Sequence, residues 1–396
     1  MIMTATTTIT EITPKRRIRA VFYAVNGLGL GHLTRLIALC RAMQAQNPLL
    51  DALFITTSEA DNLLNKYGIP YVHLPSKNLA SQSGSLTYRR LARLYSAVVN
   101  PVFDVFQPNI LVVDTMVTGS MQDLLNVLRF GNFFKVYVHR ARKLEAYEDY
   151  TIQAQRFYDL VLTPHYRDTE VIPMPAGFNV PLYWSGPLML THRHEAHTRQ
   201  IVRTRFGIQE HEKLVLISLG GGGDDTNPQT LDFLLRMLAP IPDIKLLFAE
   251  GLLRKEAYQG LGNVLVTSEY PVSRLLDGVD FAFASAGYNT FHELLYFGVP
   301  TMFVPKLRGY DDQVLRATRA ADKGACLVAV EDENFEAIAQ QHLGVLLDNE
   351  KRQHIAQAAC QYVPENHVQE AADAIWQAWQ LWDNPLPQEP ISPQEG

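Results

Sequence analysis

The sequence predicts an α/β chain folded as two doubly wound, Rossmann-like domains in tandem, with an interdomain cleft between them. Three observations lead there. Short apolar runs rich in β-branched and aromatic residues alternate with stretches of helical spacing, the pattern of a parallel sheet covered on both faces. The alternation occurs as two series, separated by a segment rich in proline, glycine and histidine. The length, 396 residues, exceeds the ~250–300 at which single cores stop growing.

In the first series the strand candidates are AVFYAV (20–25), ALFITT (52–57), YVHLP (71–75), ILVVD (110–114), KVYVH (135–139) and LVLTP (160–164). Helical stretches such as RLIALCRAMQ (35–44) and LLNVLRF (124–130) lie between them. The second series runs through LVLISL (214–219), IKLLFAE (244–250), VLVTS (264–268), FAFAS (281–285), TMFVP (301–305) and CLVAV (326–330). The expected division is a first domain over 16–188, a linker over 189–212 and a second domain over 213–365. A helix over 366–383, carrying Trp376, Trp379 and Trp382, is expected to pack back across the first domain. Residues 1–15 and the proline-rich, acidic 384–396 are expected to be disordered.

Composition narrows the function. A formal charge of −6 argues against a nucleic-acid partner, which calls for a basic face. Cys40, Cys326 and Cys360 are scattered with no C-x-x-C, so neither a disulfide framework nor a zinc site is expected, and a reducing compartment is. The N-terminal stretch MIMTATTTITEITPKRR lacks a signal peptide's apolar core, and no run of ~18 apolar residues occurs. The expectation is a cytoplasmic protein, monomeric or weakly homodimeric, that binds no metal. HRHEAH (192–197) falls in the linker without H-E-x-x-H spacing.

The strand at 214–219 runs into Gly220, Gly221 and Gly222 of a four-glycine loop. Such a loop lets backbone approach a phosphate closely, and it also serves as a plain flexible connection. The stretch SAGYNTFHELLYFGVPTMFVPKLRGYDDQVLRA (285–317) is more specific. Ser285, Ala286 and Gly287 end a buried strand. Asn289 and Thr290 stand where a helix begins, able to cap it or to hold a phosphate oxygen. Glu293 follows about one turn later, where a carboxylate offers two acceptors to a ribose diol. Asp311, Asp312 and Gln313 close the next loop with groups able to read sugar hydroxyls.

This segment resembles the donor-binding motif of GT-B glycosyltransferases, both the UDP-glycosyltransferases of secondary metabolism and the peptidoglycan N-acetylglucosaminyltransferase (families 1 and 28). The matching residues are Gly287, Asn289, Thr290, Glu293, Gly298-Val299-Pro300, Pro305 and Asp312-Gln313. The resemblance implies that Asn289, Thr290 and the glycine loop hold a diphosphate, that Glu293 takes the ribose, and that Asp312 and Gln313 face the donor sugar. It places Tyr270 and Pro271 where the base is cradled, and implies a UDP- or dTDP-sugar co-substrate with no bound cofactor or divalent cation. Two positions depart from the pattern: Ser285 stands where plant-type enzymes often have a phosphate-contacting histidine, and Arg316 replaces a small or amide residue. The likeness spans nearly the whole chain in architecture, while its motif is concentrated in about 30 residues.

NGLGLGHLTR (26–35) sits at the first strand-to-helix turn. It is G-x-G-x-G, not the dinucleotide G-x-G-x-x-G; the next strand ends in Thr-Thr-Ser with no ribose-binding acid, and no G-K-[ST] follows. A wide mouth remains, with Gly29 and Gly31 open to an acceptor and His32 in the first turn of a helix, where the positive helix end favours a neutral ring able to take a proton. Asp114 ends a central strand facing the same crevice and can accept the other ring N–H. His32 with Asp114 matches the His–Asp dyad of small-molecule UDP-glycosyltransferases, which implies an inverting transfer to an acceptor hydroxyl. Arg35, one turn on, can reach a phosphate or the acceptor, or lie on a solvated face; the basic run HRARK (139–143) can meet an anionic acceptor or be a solvated loop. GLGLGHLTR (27–35) also resembles a broader group of bacterial GT-B proteins with G-x-G-x-G-H-x-x-R, which includes UDP-sugar hydrolases. Hydrolysis, 2-epimerisation of a UDP-sugar by a protein of GT-B shape, and a non-catalytic sugar-nucleotide-binding subunit stand beside transfer.

Overall fold

The computed structural model describes residues 17–25, 30–84, 86–167, 169–220, 228–249 and 264–385. Gly29, Gly221 and Gly222, residues 1–15 and nearly all of 384–396 therefore lie outside the described residues.

Among the described residues the front lobe holds β1 (Ile18–Ala24), β2 (Leu50–Thr56), β3 (Tyr71–His73), β4 (Ile110–Asp114), β5 (Phe134–Val138), β6 (Leu160–Thr163) and β7 (Leu182–Trp184). They form one sheet in the order β3-β2-β1-β4-β5-β6-β7, parallel throughout. The rear lobe holds β8 (Lys213–Ser218), β9 (Ile244–Ala249), β10 (Val264–Thr267), β11 (Phe281–Ala284), β12 (Thr301–Phe303) and β13 (Leu327–Val328). Their order is β10-β9-β8-β11-β12-β13, again parallel. The expected strands are thus all present. The sequence reading missed β7, three residues behind Pro181 at the sheet edge, where no sustained apolar run marks a strand.

Sheets covered on both faces explain why the strands read as continuous apolar runs rather than alternating ones. In β1, Ala20, Phe22 and Ala24 join one core, while Val21 and Tyr23 join the other. In β8, Leu214 and Leu216 face one side and Val215 and Ile217 the opposite one. In both sheets the strand order reverses beside the first strand, between β1 and β4 and between β8 and β11. Loops leaving the carboxyl ends of such a pair diverge and open a crevice, where ligands of doubly wound sheets bind. His32 follows β1 and Asp114 ends β4; Gly220 follows β8 and Gly287 follows β11.

The closing helix, Val368–Asp383, returns to the front lobe as expected. Ala371, Ala372, Ile375, Trp376 and Trp379 enter the core that the first helix (Gly31–Gln46) shares, and the Trp382 ring lies 6.1 Å from that of Phe134. At its entrance, a Cβ on Gly186 (φ +85°) would run into the His367 ring. The polar stretch 76–95 contains a short helix, Lys77–Ser83; Thr87 then caps Tyr88–Phe106 by accepting from Arg90 N. No described helix is long and apolar enough to cross a membrane.

Candidate active site

His32 is the second residue of the first helix. Its Nδ1 lies 3.1 Å from Asp114 Oδ1, a contact between residues 82 apart that the β1–β4 pairing makes possible. Asp114 is fully buried, His32 partly exposed. The carboxylate also accepts from Arg35, Nε to Oδ2 at 2.9 Å and Nη2 to Oδ1 at 2.8 Å, and from Thr115 Oγ1 at 2.6 Å. Burial alone would raise the Asp114 pKa, but the charges and hydrogen bonds of Arg35 and His32 overcome it and hold the group well below the usual carboxylate range. For His32, burial lowers the pKa first; Asp114 pulls it up, Arg35 and Arg140 push it down again, and the net shift is downward. An unprotonated Nδ1 would be repelled by the ionised oxygen beside it. The ring proton therefore belongs on Nδ1, and Nε2 carries the lone pair. Thr115 holds φ +64°, a conformation a β-branched residue rarely adopts and one that costs about 1–3 kcal/mol, a pattern met at functional sites.

On the rear lobe the helix Tyr288–Tyr296, expected on the donor side, starts at Gly287 with no side-chain cap, although Asn289 and Thr290 occupy its first turn. The Asn289 Oδ1 is buried without a hydrogen-bond partner. First-turn amides have no partner within a helix, so this end suits an anion. Gly287 has an ordinary φ of −61° and a Cβ there meets nothing within 4 Å; glycine is not needed for the backbone. Gly287→Ala is thus expected to change stability by less than about 1 kcal/mol in urea melts, a lost N-cap preference opposing an entropy gain. A drop in UDP affinity in that variant then reports the methyl's obstruction of a ligand at the helix end. Gly220 differs: its φ is +142°, and a Cβ would lie 3.1 Å from the Lys306 ammonium. Lys306 thus brings a positive charge to the first glycine of the loop, which no sequence motif announced.

Glu293 is 7 % exposed, and burial raises its pKa to about 7, with the Ser273 hydroxyl pulling the other way. Ser285 is buried and its N–H donates to Ser218 O, tying β11 to β8. Asp312 caps the helix Gln313–Ala321 by accepting from Leu315 N at 3.0 Å. Gln313 is buried, its Oε1 accepting from Lys306 N at 3.0 Å and its Nε2 donating to Asp311 Oδ2 at 3.3 Å. These two side chains shape the loop that carries Lys306. The departure at Arg316 also has a structural reason: it donates to Ala286 O at 2.8 Å and to Asp311 at 2.7 Å, tying the β11 turn to that loop.

The lobes meet around this crevice. Arg140, from the basic run 139–143, donates to Asp311 across the lobes at 3.1 Å, and Lys143 N donates to Tyr310 O at 3.1 Å. The run is therefore neither a solvated loop nor open to an anion at Arg140, which is 7 % exposed. Tyr270, ahead of a cis Pro271, touches the front lobe with its hydroxyl 2.5 Å from Thr34 Oγ1 and its carbonyl accepting from Lys66 at 2.6 Å. Tyr288 OH donates to Pro164 O at 2.6 Å. Gly31 is open: a Cβ there meets nothing within 4 Å. Arg35 is a correction, since at 1 % exposure it lies on neither a solvated face nor an acceptor surface.

Among the described residues one trio of metal-type side chains stands close together, Glu365, His367 and Glu370, with ligand atoms within 4.8 Å of one another. It belongs to the entrance of the closing helix, where His367 Nε2 is 3.3 Å from Tyr166 OH. In the linker tract, Glu195 accepts from Arg41 and from His192 N, a structural use.

Known structures share the fold. No curated protein sequence matches the chain. In structure it is similar to the calicheamicin glycosyltransferase CalG4 (TM-score 0.65, 15 % identity, covering 94 % of this chain and 100 % of the other). It is similar to Acinetobacter baumannii MurG (0.61, 16 %, 91 % and 99 %), and to the spinosyn rhamnosyltransferase SpnG complexed with thymidine diphosphate (0.58, 17 %, 92 % and 99 %). Residues 274–375, from the segment before β11 into the closing helix, match the glycosyltransferase family 28 C-terminal domain. The chain thus has the GT-B glycosyltransferase fold and carries a family 28 glycosyltransferase C-terminal domain.

Proposed function

We propose that the chain is an inverting glycosyltransferase that moves a sugar from a nucleoside-diphosphate sugar, UDP- or dTDP-linked, to an acceptor hydroxyl. The observation that carries the reading is the pairing of a partly exposed His32 with the buried Asp114 at the front-lobe switch point, across the crevice from the uncapped Tyr288–Tyr296 helix. In the proposed step Nε2 of His32 takes the hydroxyl proton while the acceptor oxygen attacks the anomeric carbon. The bond from that carbon to the phosphate oxygen breaks, and the nucleoside diphosphate leaves with the electron pair. Its charge develops against the first-turn amides of Gly287–Thr290 and the Lys306 ammonium, dipoles and charge already oriented before reaction. Glu293 accepts from the ribose hydroxyls, and the Tyr270–Pro271 backbone borders the base. The SpnG complex with thymidine diphosphate supports keeping dTDP beside UDP as the donor nucleotide.

The test is a thermal-shift panel of UDP, dTDP, GDP and ADP, followed by donor turnover with and without an acceptor library. UDP or dTDP at a hundredfold excess over Kd is expected to stabilise the chain by about 2.7 kcal/mol. Sugar transferred to an acceptor supports the reading. Free sugar released as fast without acceptor makes the chain a hydrolase; a converted, still nucleotide-linked sugar makes it an epimerase. Binding with no turnover of any kind makes it a binding subunit, and no response to any diphosphate removes the donor site altogether.

A further inference from the structure

Arg35 meets neither solvent nor acceptor, yet its guanidinium is engaged on several sides. Its fork takes both oxygens of Asp114, and Nη2 lies 3.3 Å from His32 Nδ1. Its face lies over the Tyr288 ring, 4.8 Å from the centroid. Tyr288 is the first residue of the donor-side helix, and its hydroxyl also accepts from Leu188 N at 3.2 Å. Burying a guanidinium is costly unless charge and hydrogen bonds compensate it, and an imidazole can be oriented by a carboxylate without one. The cation therefore has an effect to be identified.

We propose that Arg35 is a positioning residue for His32, fixing the plane of Asp114 against the imidazole, offsetting the carboxylate's charge, and joining this arrangement to the donor-side helix through Tyr288. The inference rests on His32 being the base. A bidentate arginine locks carboxylate orientation in a way a lysine does not. The charged groups that act on the ring are Asp114 at the end of β4, Arg35 on the same helix, and Arg140 after β5; Arg140 is itself held by Asp311 of the rear lobe. Removing the Arg35 charge leaves Asp114 acting on His32 with less opposition, so the ring becomes more basic.

The experiment is a titration of the His32 ring by NMR with labelled histidine, its signal assigned by loss in His32→Asn. The wild-type chain, Arg35→Met and Arg35→Lys are compared, with UDP thermal shifts to establish that each is folded. In Arg35→Met the midpoint is expected to rise by about one pH unit or more, and in Arg35→Lys by less, since the charge stays and the fork is lost. Should Arg35→Met not fold, the lysine variant still decides through its smaller rise. An unmoved midpoint in the folded variants overturns the proposal. The pH profile of donor turnover separates it from the base assignment. If the acid limb moves up with the midpoint, both stand; if the midpoint moves and the limb does not, Arg35 still positions the ring and His32 is not the base.

Discussion

Replacing His32 by alanine is expected to lower donor turnover by roughly two to four powers of ten, the scale of a lost general base, while UDP still raises the melting temperature. The two effects separate because Asp114 and Arg35, which flank the ring, belong to the front lobe, whereas the Tyr288–Tyr296 helix, Glu293 and Lys306 belong to the rear one. The ring is partly exposed, so truncation costs little packing. Asp114 is a poorer probe. Removing it leaves Arg35 as a buried cation without its counter-charge, a loss of about 3–5 kcal/mol of the kind that follows when one member of a buried pair is deleted. A fall in turnover there mixes chemistry with unfolding. His32→Ala isolates the proton acceptor, and turnover within threefold of wild type, measured as donor consumed over time, would sink the assignment.

Much of this site is readable before any coordinates, and the reason is topological. A glycine-rich turn after the first strand and an acid at the end of a later central strand can face one crevice only if those strands are neighbours, and β1 and β4 are. The helix bearing Asn289, Thr290 and Glu293 is legible for the same reason, since it follows β11 beside β8. Arg35 was not legible. Helical spacing puts it on the same side as His32, but an arginine on a helix is ordinarily solvated, and its partner is 79 residues away. Arg140 and Asp311 are 171 residues apart, and a basic run of three charges looks the same in sequence whether it greets solvent or clasps another lobe. Asp312 and Gln313 show the converse. Their types suit sugar hydroxyls, yet local hydrogen bonds engage them in shaping their own loop, a competition that residue identity does not reveal.

Glu293→Gln is expected to make the empty protein more stable and its nucleotide complex weaker, both in a pH-dependent way. Burial holds the folded carboxyl near 7 against an ordinary value of 4.5. Between those pH values the folded state keeps a proton that the unfolded chain has lost, so stability falls as pH rises from about 4.5 to 7 and stays lowered above. The difference corresponds to roughly 3 kcal/mol at pH 8. Glutamine does not titrate and can still pair with Ser273. The variant should therefore match the wild type in urea melts near pH 5 and exceed it at pH 8 by up to that amount. Nucleotide binding carries the opposite sign. In the proposed complex the ribose hydroxyls donate to the ionised carboxylate, so UDP binding is expected to release the proton, and wild-type affinity should fall as pH is lowered through 7, by at most tenfold per pH unit. Glu293→Gln should bind UDP about 1.5–3 kcal/mol more weakly at pH 8, the range for a hydrogen bond to a charged group, with no such slope. Calorimetry at pH 6 and pH 8 reads both quantities, and equal UDP affinity for the two proteins at both pH values would remove Glu293 from the ribose.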